Sequence, residues 1–471
     1  MVFSSPAFLF FFLPVFLTVY FLAPARLRNG VILVASFVFY FIDAGALIII
    51  LSGSIVLNYL IARYLSTASG SVRKVALALG VASNLMPLLY YKYWMFVLQS
   101  VNDAALLLDR EAQFSVSEIL LPAGISFFTF SAISYLCDVY SRKIEPTTSL
   151  VDFGMYIASF PQLIAGPIVR YAEIADVIRV RNIRLDQIYS GLFIFVIGLS
   201  QKIILADSAG RVADNIFTLP QSELTIGYAW LGAFAYTLQI YFDFSGYSNM
   251  AIGLGRVMGF EFPRNFNQPY RSRNITEFWR RWHMTLSRWF RDYLYIPLGG
   301  NRDGQFRTYA NLFIVFLLCG LWHGASYGFI IWGIYHGTLL IIERNLLSSF
   351  GFAMSGWMGQ AVTFLLVMIG WVFFRASSLS EAVDYLAVMT SIGAEHSAVR
   401  TLPILLSADQ VTFLIIASVC AVFPTERFGR FADGSANVSV VIQGAIVIGL
   451  MAFCCALIAA NGFNPFIYFR F

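Results

Sequence analysis

The chain has 471 residues, 59% of them hydrophobic and only 12% charged, where an ordinary soluble domain carries about 25% charge. That balance excludes a soluble globular fold, and a net charge of +5 placed mostly in loops between apolar runs calls for no nucleic-acid partner. A membrane-spanning helix takes about 20 apolar residues and strand alternation is nowhere sustained, so the composition predicts an all-α polytopic membrane protein with about ten to twelve transmembrane or re-entrant helices.

In chain order, residues 7–23 read as a first, retained span interrupted by Pro14, followed by a basic loop with Arg26 and Arg28 that places Met1 outside. Residues 31–62 read as a hairpin of two short helices broken at Ser52-Gly53-Ser54, ending in the basic loop Arg63 to Lys74. Residues 75–100 cross outward to an acidic loop with Asp103, Asp109, Arg110, Glu111 and Glu118, and the chain returns from Ile119 to Arg142. The stretch 151–169 contains FPQLIAGPI, whose two prolines and glycine predict a broken or re-entrant helix, tolerated in a membrane only where protein or water takes up the freed backbone groups. A charged inner segment from Arg170 to Asp186 leads to spans at 187–206 and 225–245, then to later apolar runs near 309–322, 326–342, 360–374, 410–424 and 438–460. No linker or repeat marks a second domain. The whole chain, 1–471, reads as one domain with a motif-bearing core at about 119–343 and C-terminal helices at about 360–460.

Three polar constellations stand out against this background. His323 ends an apolar run that, if it begins near Tyr309, climbs ~1.5 Å per residue and carries the imidazole to about mid-membrane, where an ionisable group normally faces a cavity and marks function. Gly320 and Gly324 flank the Trp322-His323 pair and would allow backbone or substrate a close approach. A neutral imidazole there is suited to take a proton from a hydroxyl or thiol during acyl transfer; the plain alternative is a core histidine bonded between helices.

His283 sits in WRRWHMTLSRWF, where Trp279, Arg280, Arg281, Trp282, Arg288 and Trp289 read as a membrane-interface helix with rings at headgroup level, or as a mouth whose arginines attract a phosphorylated donor. Asp243, Ser245, Tyr247 and Asn249 put polar groups into an apolar helix, as helix-packing bonds or a cavity lining. His336 reads as packing and His396 as a loop residue. The five cysteines read as small buried hydrophobes, and no metal-ligand, P-loop, H-E-x-x-H or G-x-S-x-G spacing occurs.

Four blocks together, FPQLIAGPI at 160–168, YFDFSGYSNMAIG at 241–253, FNQPY to YIPLGG at 266–300 and LWHGASYGFIIWGIYHG at 321–337, resemble the membrane-bound O-acyltransferase family, in particular its bacterial polysaccharide branch, which serves alginate, cellulose and teichoic acid. The resemblance implies a ring of helices around a central tunnel, with the family's W-H-G histidine at His323 and its R-W-H-x-T histidine at His283. It further implies a cytoplasmic thioester donor such as acetyl-CoA with no bound cofactor, donor contacts at Arg280, Arg281 and Trp282, and an exported polysaccharide acceptor reached through periplasmic or membrane-anchored partner proteins at the bacterial inner membrane. A lipid or polysaccharide-precursor transporter, with His323 and Asp243 as relay groups, is the competing class.

Overall fold

The computed structural model describes residues 1–109, 114–115, 117, 119–350, 356–390, 406–423, 440–462 and 464–467, all helix, turn or loop, with no strand among them. His396 and the loop residues Arg110, Glu111 and Glu118 lie outside the described residues. The chain divides into two compact units, Met1–Ile188 with Leu254–Pro263, and Tyr189–Gly253 with Arg264–Phe471.

The helices are α1 Leu13–Leu22, α2 Arg28–Ala44, α3 Ile48–Thr67, α4 Gly70–Leu88, α5 Trp94–Leu107, α6 Ile125–Tyr140, α7 Leu150–Ala158, α8 Phe160–Leu163, α9 Tyr171–Arg179 and α10 Leu185–Ser200. They continue with α11 Asp207–Phe217, α12 Ile226–Val257, α13 Ile275–Arg281, α14 Met284–Phe290, α15 Gly304–His323, α16 Tyr327–Phe350, α17 Gly356–Arg375, α18 Leu379–Thr390, α19 Ala408–Val422 and α20 Val440–Asn461.

Six helical stretches among the described residues are long and apolar enough to cross a membrane, and three shorter apolar helices accompany them. Five of the six stay mostly uncovered, the window in Ala25–Thr67 being 28% buried and that in Val441–Ala460 17% buried, while Leu185–Phe217 is 61% buried. In water such continuous apolar faces would drive aggregation, whereas hydrocarbon covers them at no cost.

In the first unit the predicted pair of helices forms, but the break between them lies at Gly45, with φ 53°, and not at Ser52-Gly53-Ser54, which runs inside α3. The reason is local: glycine takes positive φ at no steric cost, while Ser54 stays helical with its hydroxyl donating to Asn84 Oδ1 at 3.4 Å. Pro87 lies in the last turn of α4, and a π-turn at Leu89–Tyr93 follows before α5. Asn58 and Asn84 join α3 to α4 through reciprocal amide bonds of 2.9 and 2.7 Å, satisfying both buried amides.

The predicted break is present, at Ser159 between α7 and α8 and again inside FPQLIAGPI where α8 ends at Leu163, and protein groups take up what it frees. Phe160 N–H donates to Ser36 Oγ at 3.0 Å, Gln162 Nε2 donates to the Tyr156 carbonyl at 2.9 Å, and Tyr156 OH donates to the Val169 carbonyl at 3.2 Å.

In the second unit, small residues set the helix spacing. A Cβ on Gly198 would stand 2.5 Å from the Gly246 carbonyl oxygen, and one on Gly253 would stand 2.5 Å from that of Gly191, so α10 and α12 approach backbone to backbone. The α15–α16 hairpin is built likewise, a Cβ on Gly320 falling 3.1 Å from the Gly333 Cα. Within this unit Lys202 holds two carboxylates, Asp207 at 2.5 Å and Asp243 at 2.9 Å, and Asp243 Oδ2 also accepts the Ile467 N–H at 2.6 Å. Asp243 is therefore a buried ion-pair residue; the sequence reading missed Lys202, whose signal was a lysine inside an apolar span.

Candidate functional site

The second unit gathers His283, His323 and His336, three of the chain's four histidines, into one aromatic cluster. Their positions follow from how α13, α15 and α16 are anchored.

α13 is capped twice. Asn274 Oδ1 accepts the Glu277 N–H at 2.7 Å, and Glu343, far along α16, accepts the Ile275 and Thr276 N–H groups at 2.7 and 3.2 Å and the Thr276 hydroxyl at 2.5 Å. A carboxylate at a helix N-terminus both satisfies unpaired donors and complements the dipole. The helix ends at Arg281, and the chain reverses at His283, whose left-handed backbone (φ 40°, ψ 55°) separates α13 from α14. A non-glycine residue in that region is uncommon and persists only where the surroundings impose it.

Here they do. Asn265 accepts the Met284 N–H on its carbonyl at 2.9 Å, and its side-chain oxygen receives Thr285 N at 3.3 Å, Thr285 Oγ1 at 2.8 Å and His283 Nδ1 at 3.0 Å. His283 is 0% exposed, and the edge of its ring meets Phe244 at 4.7 Å. Its Nε2 has no hydrogen-bond partner among the described residues. Burial pushes its pKa down to about 3, so the imidazole is neutral at working pH.

His323 closes α15 and is 4% exposed. Rings of Trp322, Trp332 and Phe374 surround it edge to face at 4.9, 5.0 and 5.1 Å. Because α15 begins at Gly304 and not near Tyr309, His323 lies nearly 30 Å from the helix start at ~1.5 Å per residue, so a mid-membrane depth does not follow from counting residues. What distinguishes the site is its aromatic enclosure. Of the close approaches read from sequence, backbone or substrate, the structure shows the backbone one at Gly320, whose free face meets α16, while Gly324 gives its face to the ring of Phe329.

Trp322 links the two histidines, its ring 6.0 Å from that of His283 and 4.9 Å from that of His323. His336, 0% exposed, lies beyond Trp332 at 5.0 Å and against Trp279 at 5.1 Å, and a Cβ on Gly370 would fall 2.8 Å from its Nε2. The interface-helix reading of the Trp/Arg block is corrected: it forms two short helices, and Trp279, Trp282 and Trp289 are 7%, 1% and 7% exposed, packed in protein. Their indoles bury more apolar area against neighbouring rings than headgroup level offers.

Of the three expected donor contacts, Trp282 is enclosed by Tyr241, Phe266, Phe278 and Trp371. Arg281 is held by Glu277 at 2.8 and 3.1 Å and by the Asn267 carbonyl at 3.1 Å. Arg280 alone among them is exposed. Asn265 and Glu343 escaped the sequence reading, although Asn265 directly precedes the FNQPY block.

A helical membrane protein with two buried imidazoles on one indole, set by an Asn-anchored reversal, provides proton-transfer groups inside an apolar enclosure. Residues 34–380 match the membrane-bound O-acyltransferase family, and the chain belongs to it. It is an O-acyltransferase. The probable alginate O-acetylase of Azotobacter vinelandii is 42% identical over the full length of both chains. That of Pseudomonas aeruginosa is 48% identical over 83% of this chain and 75% of its own. The peptidoglycan O-acetyltransferase of Helicobacter pylori is 38% identical over 83% of this chain and 80% of its own.

Proposed function

We propose that this enzyme draws an acetyl group from a cytoplasmic thioester of the acetyl-CoA type and relays it for O-acetylation of an exported polysaccharide, alginate, at a bacterial inner membrane. The end-to-end likeness to the Azotobacter vinelandii protein supports the substrate. The chemistry rests on one observation, the pairing of His283 and His323 across Trp322 in an aromatic enclosure.

His323 acts as general base. It takes the proton of the accepting hydroxyl as that oxygen adds to the thioester carbonyl, and returns it to the departing thiolate as the tetrahedral intermediate collapses. His283 orients the reacting groups, and exposed Arg280 attracts the donor phosphates. Partner proteins of the periplasmic face carry the acetyl group onward to the polymer.

The test is His323→Ala in the native host, with membrane insertion verified. Loss of a general base costs roughly 10²–10⁴ in rate, so the exported alginate should lose its O-acetyl groups. A polymer of normal acetyl content would refute the assignment, and acetyl lost from peptidoglycan instead would move the acceptor to that polymer.

A further inference from the structure

The amide of Asn265 is oriented by its neighbours. A backbone N–H can only donate, so the atom facing Thr285 N at 3.3 Å and Thr285 Oγ1 at 2.8 Å is the oxygen, and the opposite end, Nδ2, donates to Ser248 Oγ at 3.1 Å. That same oxygen stands 3.0 Å from His283 Nδ1. An amide oxygen can only accept, so Nδ1 must carry the ring proton.

From this we propose that Asn265 is a positioning residue that fixes His283 as the Nδ1–H tautomer, leaving Nε2 as a bare acceptor for a polar hydrogen of the substrate. The inference rests on reading the His283–His323 pair as the acyl-transfer site. It assigns His283 a definite role: a neutral ring whose one N–H is committed to Asn265 cannot donate to a developing oxyanion, and it receives an O–H or N–H of the substrate at Nε2. The left-handed backbone of His283 serves the same end, because Asn265 holds both flanks of the reversal, through Met284 N–H and Thr285 N–H. Among the described residues, Asn265, Phe244 and Trp322 stand against the ring, and none of these three carries a titratable group.

The chain has four histidines, so the ¹⁵N spectrum of histidine-labelled, detergent-purified protein is simple enough to assign with His283→Gln. The expected result is an Nδ1–H tautomer for His283 that shifts toward Nε2–H in Asn265→Ala, with acetyl transfer reduced roughly 10- to 100-fold, as when an orienting partner of a histidine is lost. In Asn265→Asp a carboxylate beside Nδ1 keeps the tautomer but stabilises the imidazolium, so transfer should persist at high pH while its acid limb begins at a higher pH than in the wild type.

An Nε2–H tautomer in the wild type, or an Asn265→Asp profile identical to wild type, would overturn the proposal. The aspartate variant keeps the shape of the side chain and so decides the matter if the alanine variant fails to insert. Unchanged transfer by His283→Ala would instead overturn the underlying reading of the site, even with the tautomer as assigned.

Discussion

The ring of His323 meets that of Trp332 edge-on, at 83° with centroids 5.0 Å apart, and the same indole packs His336 at 5.0 Å. One α16 residue therefore holds the proposed base against its own core, so the geometry of the site and the stability of the second unit depend on the same packing.

The first consequence concerns pH. His283 has a pKa depressed from 6.5 to about 3, so between those values the unfolded chain binds the proton and the folded chain does not. Stability is then complete above about pH 6.5 and declines as pH falls toward 3. Thermal melts of the purified protein at pH 7 and pH 5 should show this loss, and His283→Asn should make the slope over that range shallower without abolishing it, because burial depresses His336 likewise to about 3.

Glu343 accepts three hydrogen bonds from the start of α13, the helix that delivers the chain to His283. Glu343→Ala leaves two backbone donors without their acceptor, at a cost of about 1–3 kcal/mol, and acetyl transfer should fall with it. Glu343→Gln keeps one acceptor oxygen and should recover part of both. A melting temperature unchanged in the alanine variant would show that the cap is dispensable.

Lys202 bridges Asp207 and Asp243 inside the second unit, with lysine and Asp243 side chains only 4% and 2% exposed. Removing one partner of a buried pair costs about 3–5 kcal/mol because the remaining charge is stranded. Lys202→Met should therefore collapse the yield of folded protein, while Lys202→Met with Asp207→Asn and Asp243→Asn should recover much of it. Size-exclusion yield and melting temperature check both.

Two glycines should respond in opposite ways. Gly333 lies against the backbone of α15 at Phe316 and Gly320, and Gly333→Ala should cost about 1–3 kcal/mol through overpacking and displace His323. Gly53 sits inside α3 with nothing within 4 Å of a built Cβ, so Gly53→Ala should stabilise by about 0.4–1 kcal/mol. Melting temperatures of the two variants, with acetyl transfer for Gly333→Ala, distinguish them.

Hydropathy alone determined that this is a helical membrane protein, because the cost of an unpaired backbone group in hydrocarbon leaves long apolar runs no alternative to a helix. The broken helix at FPQLIAGPI was likewise legible, since proline and glycine are local signals. The break at Gly45 was misplaced to Ser52-Gly53-Ser54 because composition does not reveal which glycine takes positive φ. Only the tertiary structure decided that Asn265 meets His283 across 18 residues, that Glu343 caps α13 across 68, and that Lys202 answers Asp243. Each of these partners is a polar side chain whose need is met by another element, and neither helical period nor hydropathy encodes which one.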